Sequence, residues 1–265
     1  GHAVRMKFAV CLKQVPDTTD LKLDPETNTL MREGVEAILN PLDEFPLEAA
    51  LRLRDACGGT VTAVTMGPPQ AVRVLEKAVA MGADDAILAS DRAFAGADTW
   101  ATSLALARVL ETCGPFAVIL CGKQAIDGDT AQVGPGIAAH LDIPQVTYVT
   151  NVKWADDRLH LARLFDHGTA TVAVAPPVVI TVLKEANEPR LPTLAGRLRS
   201  LALEPRVVSA GDLDLVPSQV GLKGSPTRVV TIDIPKADRD RTLMTGTPPE
   251  MAHSLVAALR GRGLA

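Results

Sequence analysis

Apolar residues in this chain come in short runs, separated by stretches in which they recur every three to four positions. Lys7–Val15 is the first run and reads as a buried strand, with Pro16 after it. Asp17–Glu33 is polar and rich in turn formers, which predicts a loop or a small hairpin. Over Asp43–Arg54 the spacing of Leu47, Ala50, Leu51 and Leu53 predicts a helix, closed by Gly58–Gly59. The rhythm then repeats. Strands are expected at Thr60–Met66, Asp85–Ala89 and Phe116–Cys121, and helices at Pro68–Met81, Asp98–Cys113 and Thr130–Leu141. Asp98 is placed to cap the third helix.

Strand, loop and helix in alternation predict an α/β fold, a mostly parallel sheet flanked by helices. After Leu141 the pattern changes. Val146–Val152, Leu159–Leu164, Ala170–Ala175 and Val178–Leu183 follow one another without helices and read as antiparallel additions to the same sheet. From Ala186 prolines, glycines and arginines dominate, periodicity is weak over Ala210–Lys236, and helical spacing returns over Pro249–Leu259. The expected organisation is a compact domain over 6–185 and an extended C-terminal arm over 186–265 that needs a partner surface, since it cannot build a core of its own. Gly1–His2 reads as a cloning remnant, with natural sequence expected to begin before Met6.

Bulk properties narrow the chemistry. The 265 residues are 47% hydrophobic, enough for one large core. A net charge of −4 argues against a phosphate backbone as the main partner, and 3% aromatic content leaves little for base stacking. The apolar runs are too short to span a bilayer, and no stretch reads as a secretory signal. Cys11, Cys57, Cys113 and Cys121 are scattered, without a CxxC pair, which fits a reducing cytoplasm better than a disulfide framework. The five histidines show no metal-ligand spacing.

The most informative segment is Gly122-Lys123-Gln124-Ala125-Ile126-Asp127-Gly128-Asp129-Thr130-Ala131-Gln132-Val133-Gly134-Pro135. It begins where a buried strand ends and finishes in a helix N-terminus, where open parallel sheets bind ligands. Gly122 and Gly128 permit positive φ and close backbone approach. Asp129 or Thr130 could cap the helix, and the N–H groups near Thr130–Val133 would then favour an anion. Asp127 and Asp129 would repel a phosphate at contact and suit ribose hydroxyls or the loop itself. The frame is neither a P-loop nor GxGxxG. Local physics leaves two readings open: an anion cradle, or an ordinary strand-to-helix turn.

This loop resembles the nucleotide loop of electron transfer flavoprotein beta subunits. Leu39-Asn40-Pro41-Leu42-Asp43-Glu44 and Leu183-Lys184-Glu185-Ala186-Asn187-Glu188-Pro189-Arg190 resemble the same family, in its order and at its spacing. The resemblance implies an adenine nucleotide hydrolase-like, Rossmann-like α/β domain, paired with an alpha subunit that carries a redox FAD. It implies an adenylate pocket that holds AMP or a second FAD and uses Cys11, Asn40, Pro41, Leu42, Asp43, Met66 and Gly122–Val133, that is Gly122, Lys123, Gln124, Ala125, Ile126, Asp127, Gly128, Asp129, Thr130, Ala131, Gln132 and Val133. Backbone contacts would leave the side chains of Cys11 and Met66 free to serve as core.

Three segments are similar to the electron-bifurcating branch: Gly128–Pro135; Ala97–Ser103, where Asp98 and Thr99 would line the flavin; and Gly221–Thr227. In that branch NADH gives a hydride to FAD on this chain. One electron goes to the alpha-subunit FAD and on to an acyl-CoA dehydrogenase-like or quinone oxidoreductase partner, the other to ferredoxin or flavodoxin. The alternative is the housekeeping form with structural AMP. The flavin carries the chemistry, so no residue is expected to be catalytic. Glu188–Arg199 would be the docking loop, with Leu194 the exposed anchor and Arg197 and Arg199 steering an acidic partner. A reading from a different class is an adenine-nucleotide-binding regulatory protein, against which the long arm after Ala186 speaks.

Overall fold

The computed structural model describes residues 6–17, 22–23, 30–31, 37–230 and 241–264. They fall into two units divided after Arg228.

The first unit is built on a nine-stranded sheet. In chain order the elements are β1 (Lys7–Leu12), β2 (Gln14–Pro16), β3 (Lys22–Leu23), β4 (Leu30–Met31), β5 (Ala37–Leu39), α1 (Glu44–Cys57), β6 (Thr60–Met66), α2 (Val72–Met81), β7 (Asp85–Ala89), α3 (Thr99–Cys113), β8 (Val118–Gly122), α4 (Val133–Leu141), β9 (Gln145–Ala155), β10 (Arg158–Phe165), β11 (Gly168–Val174), β12 (Val178–Val182), α5 (Leu194–Leu201), β13 (Arg206–Val208) and α6 (Gly221–Gly224). The large sheet has the order β11-β10-β9-β12-β8-β1-β6-β7-β13.

Alternation along each central strand sorts side chains to two faces. Phe8, Val10 and Leu12 of β1, with Val118 and Leu120 of β8, join Leu47, Leu51, Leu75 and Ala78 of α1 and α2 in one core. Ala9, Cys11, Ile119 and Cys121 join Ala105, Leu106, Val109, Leu110 and Ile137 of α3 and α4 in the other. Helices thus cover both faces, as the β-loop-α alternation predicts. The parallel pairs run β7–β6–β1–β8–β12–β9.

Several expectations change. The first expected strand breaks at Lys13, whose N–H leaves the sheet to bond Asp43 Oδ2 at 2.8 Å. The hairpin expected within Asp17–Glu33 is present as the antiparallel β3–β4 pair, while residues 24–29 lie outside the described residues. Val178–Leu183 was expected to be antiparallel. It forms β12, parallel to both β8 and β9, and only β9–β10 and β10–β11 are antiparallel in this sheet. All five β12 residues are buried, the pattern of an inserted central strand covered on both faces.

The compact unit also continues past residue 185. The Glu188–Arg199 segment, expected as a loop, contains most of α5, and β13 adds an edge strand parallel to β7. β13 is only three residues long, too short to register as a period. Gly196 lets α5 lie against the end of α2, since a Cβ there would collide with Ala80 O. Of the irregular stretch expected over Ala210–Lys236, residues 231–236 lie outside the described residues, as does Gly1–His2.

The second unit contains α7 (Pro248–Gly261), where the terminal helix was expected. Thr247 and Glu250 form a capping box at its start: the Thr247 N–H and hydroxyl both donate to Glu250 Oε2 at 2.7 Å.

Candidate functional site

The strand order places the site. From β1 the chain moves to β6 and β7 on one side, then crosses back to β8 on the other. The carboxyl ends of β1 and β8 therefore flank a crevice where the order reverses, the position at which open α/β sheets accept ligands. Beneath it, Cys11 and Cys121 sit opposite each other in register. The hydrogen bond with Cys11, together with burial, pushes the Cys121 thiol well above its usual value, so it is a neutral core group.

One wall is Asn40–Asp43. Asn40 is fully buried. Its Nδ2 donates to Gln124 O at 3.0 Å, and its Oδ1 accepts from the Ile126 N–H at 3.3 Å. A single side chain thereby fixes the opposite wall, the loop after β8. Asp43, also buried, accepts from the Lys13 N–H. Burial raises its carboxyl to about 7, and hydrogen bonds from Lys13, Asn40 and Gly122 together with the Lys13 charge offset part of that rise. A Cβ on Gly122 would collide with Asp43 Oδ1 and lie 2.9 Å from Leu42 O. Gly122 thus makes a close approach, to Asp43 and Leu42 of the chain itself.

Positive φ lies elsewhere in the loop. It falls on Asp129 (50°) and Ala131 (54°), and neither Gly122 nor Gly128 adopts it. Two non-glycine residues in the left-handed region within one loop mark stored strain, a feature that gathers at ligand sites. The expected cap is also revised. α4 begins at Val133 rather than Thr130, Gln132 is the capping position without a side-chain bond, and Asp129 Oδ1 instead accepts from Gln124 Nε2 at 2.7 Å. Asp127 takes the Lys13 ammonium at 2.7 Å, bridging the crevice from β8 to β1. Asp129 is thus occupied with the loop itself, one of the two roles expected of it, whereas Asp127 ties the loop to the end of β1.

At the start of α4, Gly136 N–H makes an intrahelical bond to Gln132 O at 2.9 Å, and Pro135 has no N–H. The N–H groups of Val133 and Gly134 precede the first intrahelical bond and point the positive end of α4 at its N-terminal side. These donors, the exposed backbone at Gly128 and the Asn40-held loop suit a phosphate-bearing nucleotide. Met66 ends β6 on the far side of Cys11, half-buried and packed on the second core.

Asp98 and Thr99 join the site through α3. Asp98 caps that helix as expected, accepting from the Ala101 N–H at 3.0 Å, and its second oxygen accepts from the Thr227 N–H (3.0 Å) and hydroxyl (2.8 Å). Burial pushes its carboxyl up, but the bonds from Ala101, Thr227 and Trp100 outweigh that and hold it below the usual range. Thr99 Oγ1 donates to Gln132 Oε1 at 2.9 Å and so links α3 to the loop. Lys13, Ser225 and Thr227 were not singled out individually from sequence. Only their pairings with Asp127 and Asp98 reveal them, although the Gly221–Thr227 segment as a whole carries the family resemblance.

The docking residues separate. Leu194 is 76% exposed at the first turn of α5, and Arg197 is exposed. Arg199 instead donates through Nη2 to Val79 O (3.1 Å) and Ala83 O (2.8 Å) at the end of α2, so its head group anchors α5.

Residues 27–212 match the electron transfer flavoprotein domain. The chain belongs to the electron transfer flavoprotein family, among its beta subunits. It is 47% identical over 258 residues to the electron transfer flavoprotein subunit beta of Thermoanaerobacterium thermosaccharolyticum, covering 97% of this chain and 99% of that one. It is 45% identical over 257 residues to the caffeyl-CoA reductase-Etf complex subunit CarD of Acetobacterium woodii (96% and 98%). It is 46% identical over 267 residues to the protein FixA of Azotobacter vinelandii (96% and 94%). These relatives span nearly the whole chain, so family membership covers both units. No helix among the described residues is long and apolar enough to cross a membrane, and none of their His, Cys, Asp and Glu side chains cluster as a metal site.

Proposed function

We propose that this chain is the nucleotide-holding subunit of a heterodimeric electron transfer flavoprotein, with FAD in the crevice between β1 and β8, and that it works in NADH-driven electron bifurcation. The observation that carries the nucleotide assignment is the Asn40 clamp on Gln124 and Ile126, which presents a strained loop and the α4 N-terminus to one crevice. Val133 and Gly134 N–H groups would hold phosphate, and Cys11, Asn40–Asp43, Met66 and Gly122–Val133 would surround the adenylate half. Asp98 and Thr99 lie where the remainder of an FAD could extend along α3, a reach that AMP would not need. When bound, the flavin supplies hydride acceptance from NADH and transfer of electrons one at a time. The chain's residues orient it and exclude water, and none is needed as a general acid or base.

The redox partners are the alpha subunit with its own FAD, an acyl-CoA dehydrogenase-like or quinone oxidoreductase partner, and ferredoxin or flavodoxin, in the cytoplasm. The Acetobacterium woodii relative is by name a subunit of a caffeyl-CoA reductase complex, which supports a partner acting on an acyl-CoA. Leu194 and Arg197 would meet that partner, while the C-terminal arm would embrace the alpha subunit. Nucleotide analysis of the co-expressed pair tests the reading. Two FAD per heterodimer, one bleached by NADH, are expected. One FAD with one AMP and no response to NADH would leave the housekeeping function, in which this subunit is a scaffold.

A further inference from the structure

Among the described residues two carboxylates are buried, Asp43 in the crevice wall and Glu48 on α1. Glu48 is 3% exposed and lies in an unbroken run of buried residues from Pro46 to Leu51. A carboxylate in such a place needs partners. They come largely from the segment that leads to the docking residues.

Arg190 is the main one. Its backbone N–H and its Nε donate to Glu48 Oε2 at 3.1 and 2.8 Å, and its Nη2 donates to Oε1 at 3.3 Å. Arg52 Nε, one turn along α1, donates to Oε1 at 2.6 Å. Burial pushes the Glu48 carboxyl up, but the bonds from Arg190 and Arg52 outweigh it and hold the group below its usual range. Two more bonds join the same two segments. Arg52 Nη2 donates to Glu188 O at 3.1 Å, and Asn187 Nδ2 donates to Phe45 O at 2.9 Å. On its outer side Arg190 Nη1 reaches Asp55 Oδ2 at 3.0 Å. One carboxylate thus holds both the guanidinium fork and the main chain of Arg190, which fixes the direction in which the backbone leaves that residue.

The residues that follow are apolar and exposed: Leu191, Leu194, Leu198 and Leu201. The last three share one face of α5. The far end of the segment is held separately on α2, by the Thr193 N–H to Ala80 O at 3.3 Å and by Arg199 to Ala83 O at 2.8 Å. The segment is therefore anchored at two points, on α1 by Glu48 and on α2 by carbonyls. A buried ion pair adds little net stability over apolar side chains of similar volume, but its geometry is exacting.

We propose that Glu48 is a positioning residue for partner docking: through Arg190 it holds Glu188–Leu194 against α1, so that Leu191 and Leu194 meet the acyl-CoA dehydrogenase-like partner in a preset orientation. This rests on the docking assignment made above. A segment ordered in advance avoids the entropy that a free loop would lose on binding. Glu48 is buried beneath the segment and acts only through Arg190. It governs how readily the partner binds, and leaves electron transfer within the bound complex as it is.

The test uses the intact heterodimer with its native nucleotide. Arg190→Gln removes the fork and leaves Glu48 paired with Arg52; Glu48→Gln removes the charge from the other side. Asp55→Asn, which frees Arg190 on its outer side alone, is the control. Amide hydrogen exchange over residues 187–201 should quicken about tenfold or more in both variants, with Asp55→Asn and the core strands as in wild type. The second readout is reduction of the pair by a short-chain acyl-CoA dehydrogenase charged with butyryl-CoA. KM for the heterodimer should rise about tenfold, with kcat and nucleotide content unchanged. Wild-type exchange in Arg190→Gln overturns the proposal, even if the thermal transition falls, because the pair is then a stability contact. Equal quickening in Asp55→Asn overturns it too, since Arg190 would then be held from outside. So does faster exchange at unchanged KM when Leu194→Asp raises KM. Should Glu48→Gln fail to fold, Arg190→Gln decides alone. If Leu194→Asp leaves KM unchanged, or the dehydrogenase does not reduce the wild-type pair, the docking assignment fails, and the exchange rates still decide whether Glu48 holds the segment.

Discussion

Asn40 is the residue whose removal should separate fold from site most cleanly. It is fully buried and makes two bonds to the far wall of the crevice, at 3.0 Å to Gln124 O and 3.3 Å from the Ile126 N–H. Each such bond contributes about 0.5–1.5 kcal/mol net, so Asn40→Ala should cost about 1–3 kcal/mol. The loss falls on the loop and on the buried Asp43 carboxyl that Asn40 also hydrogen-bonds. Urea unfolding should show a lower midpoint with an unchanged slope, and the purified pair should lose nucleotide about ten- to a hundredfold more readily. Asn40→Asp sharpens the test. It keeps an acceptor for Ile126, loses the donor to Gln124, and sets a second carboxylate beside the buried Asp43. Its deficit should therefore grow as pH rises and both groups are driven to ionise. If Asn40→Ala retains nucleotide as wild type does and loses less than about 0.5 kcal/mol, the clamp does not position the loop.

Three further outcomes are expected. Asp43, raised from 3.8 to about 7 by burial, binds a proton in the folded state that the unfolded chain releases near pH 4. Its contribution is greatest below that value and is lost as pH climbs through 7, to a total of about 4 kcal/mol; a carboxyl carbon resonance that titrates below pH 5 would contradict this. Gly122→Ala forces a methyl against Asp43 and Leu42 O, and should cost about 1–3 kcal/mol in chemical denaturation together with nucleotide occupancy; full occupancy at wild-type stability would show that the wall has room. Leu194→Asp should leave thermal stability unchanged but slow electron transfer to the dehydrogenase partner, whereas Arg199→Ala should loosen α5 and lower stability by about 1–3 kcal/mol; the reverse pattern in paired melting and turnover assays would exchange their roles.

Much of this architecture is legible in the order of residues because its signals are local. Runs such as Phe8–Leu12 and Val118–Cys121 are short and apolar at every position, which suits a strand covered on both faces. Asp98 could be named as a cap because its bond to Ala101 spans three residues. The loop after β8 could be found from its glycines and aspartates, and the segments around Asn40 and Gly122, both resembling one family, lie together in the fold.

What the order of residues left open depends on groups far apart in the chain. Asn40 meets Gln124 and Ile126 only because β1 and β8 are neighbours in the sheet. Asp98 meets Thr227 across a separation of 129 residues. The left-handed backbone fell on Asp129 and Ala131 rather than on the glycines, because the Gln124–Asp129 and Asn40 bonds constrain the loop more strongly than local preference does. The direction of β12 was decided by the space between β8 and β9, and the inward turn of Arg199 by open carbonyls at the end of α2. Local periodicity determined which segments are strands and helices. Only the packed sheet decided which walls face each other, and so that the loop after β8 stands against Asn40–Asp43.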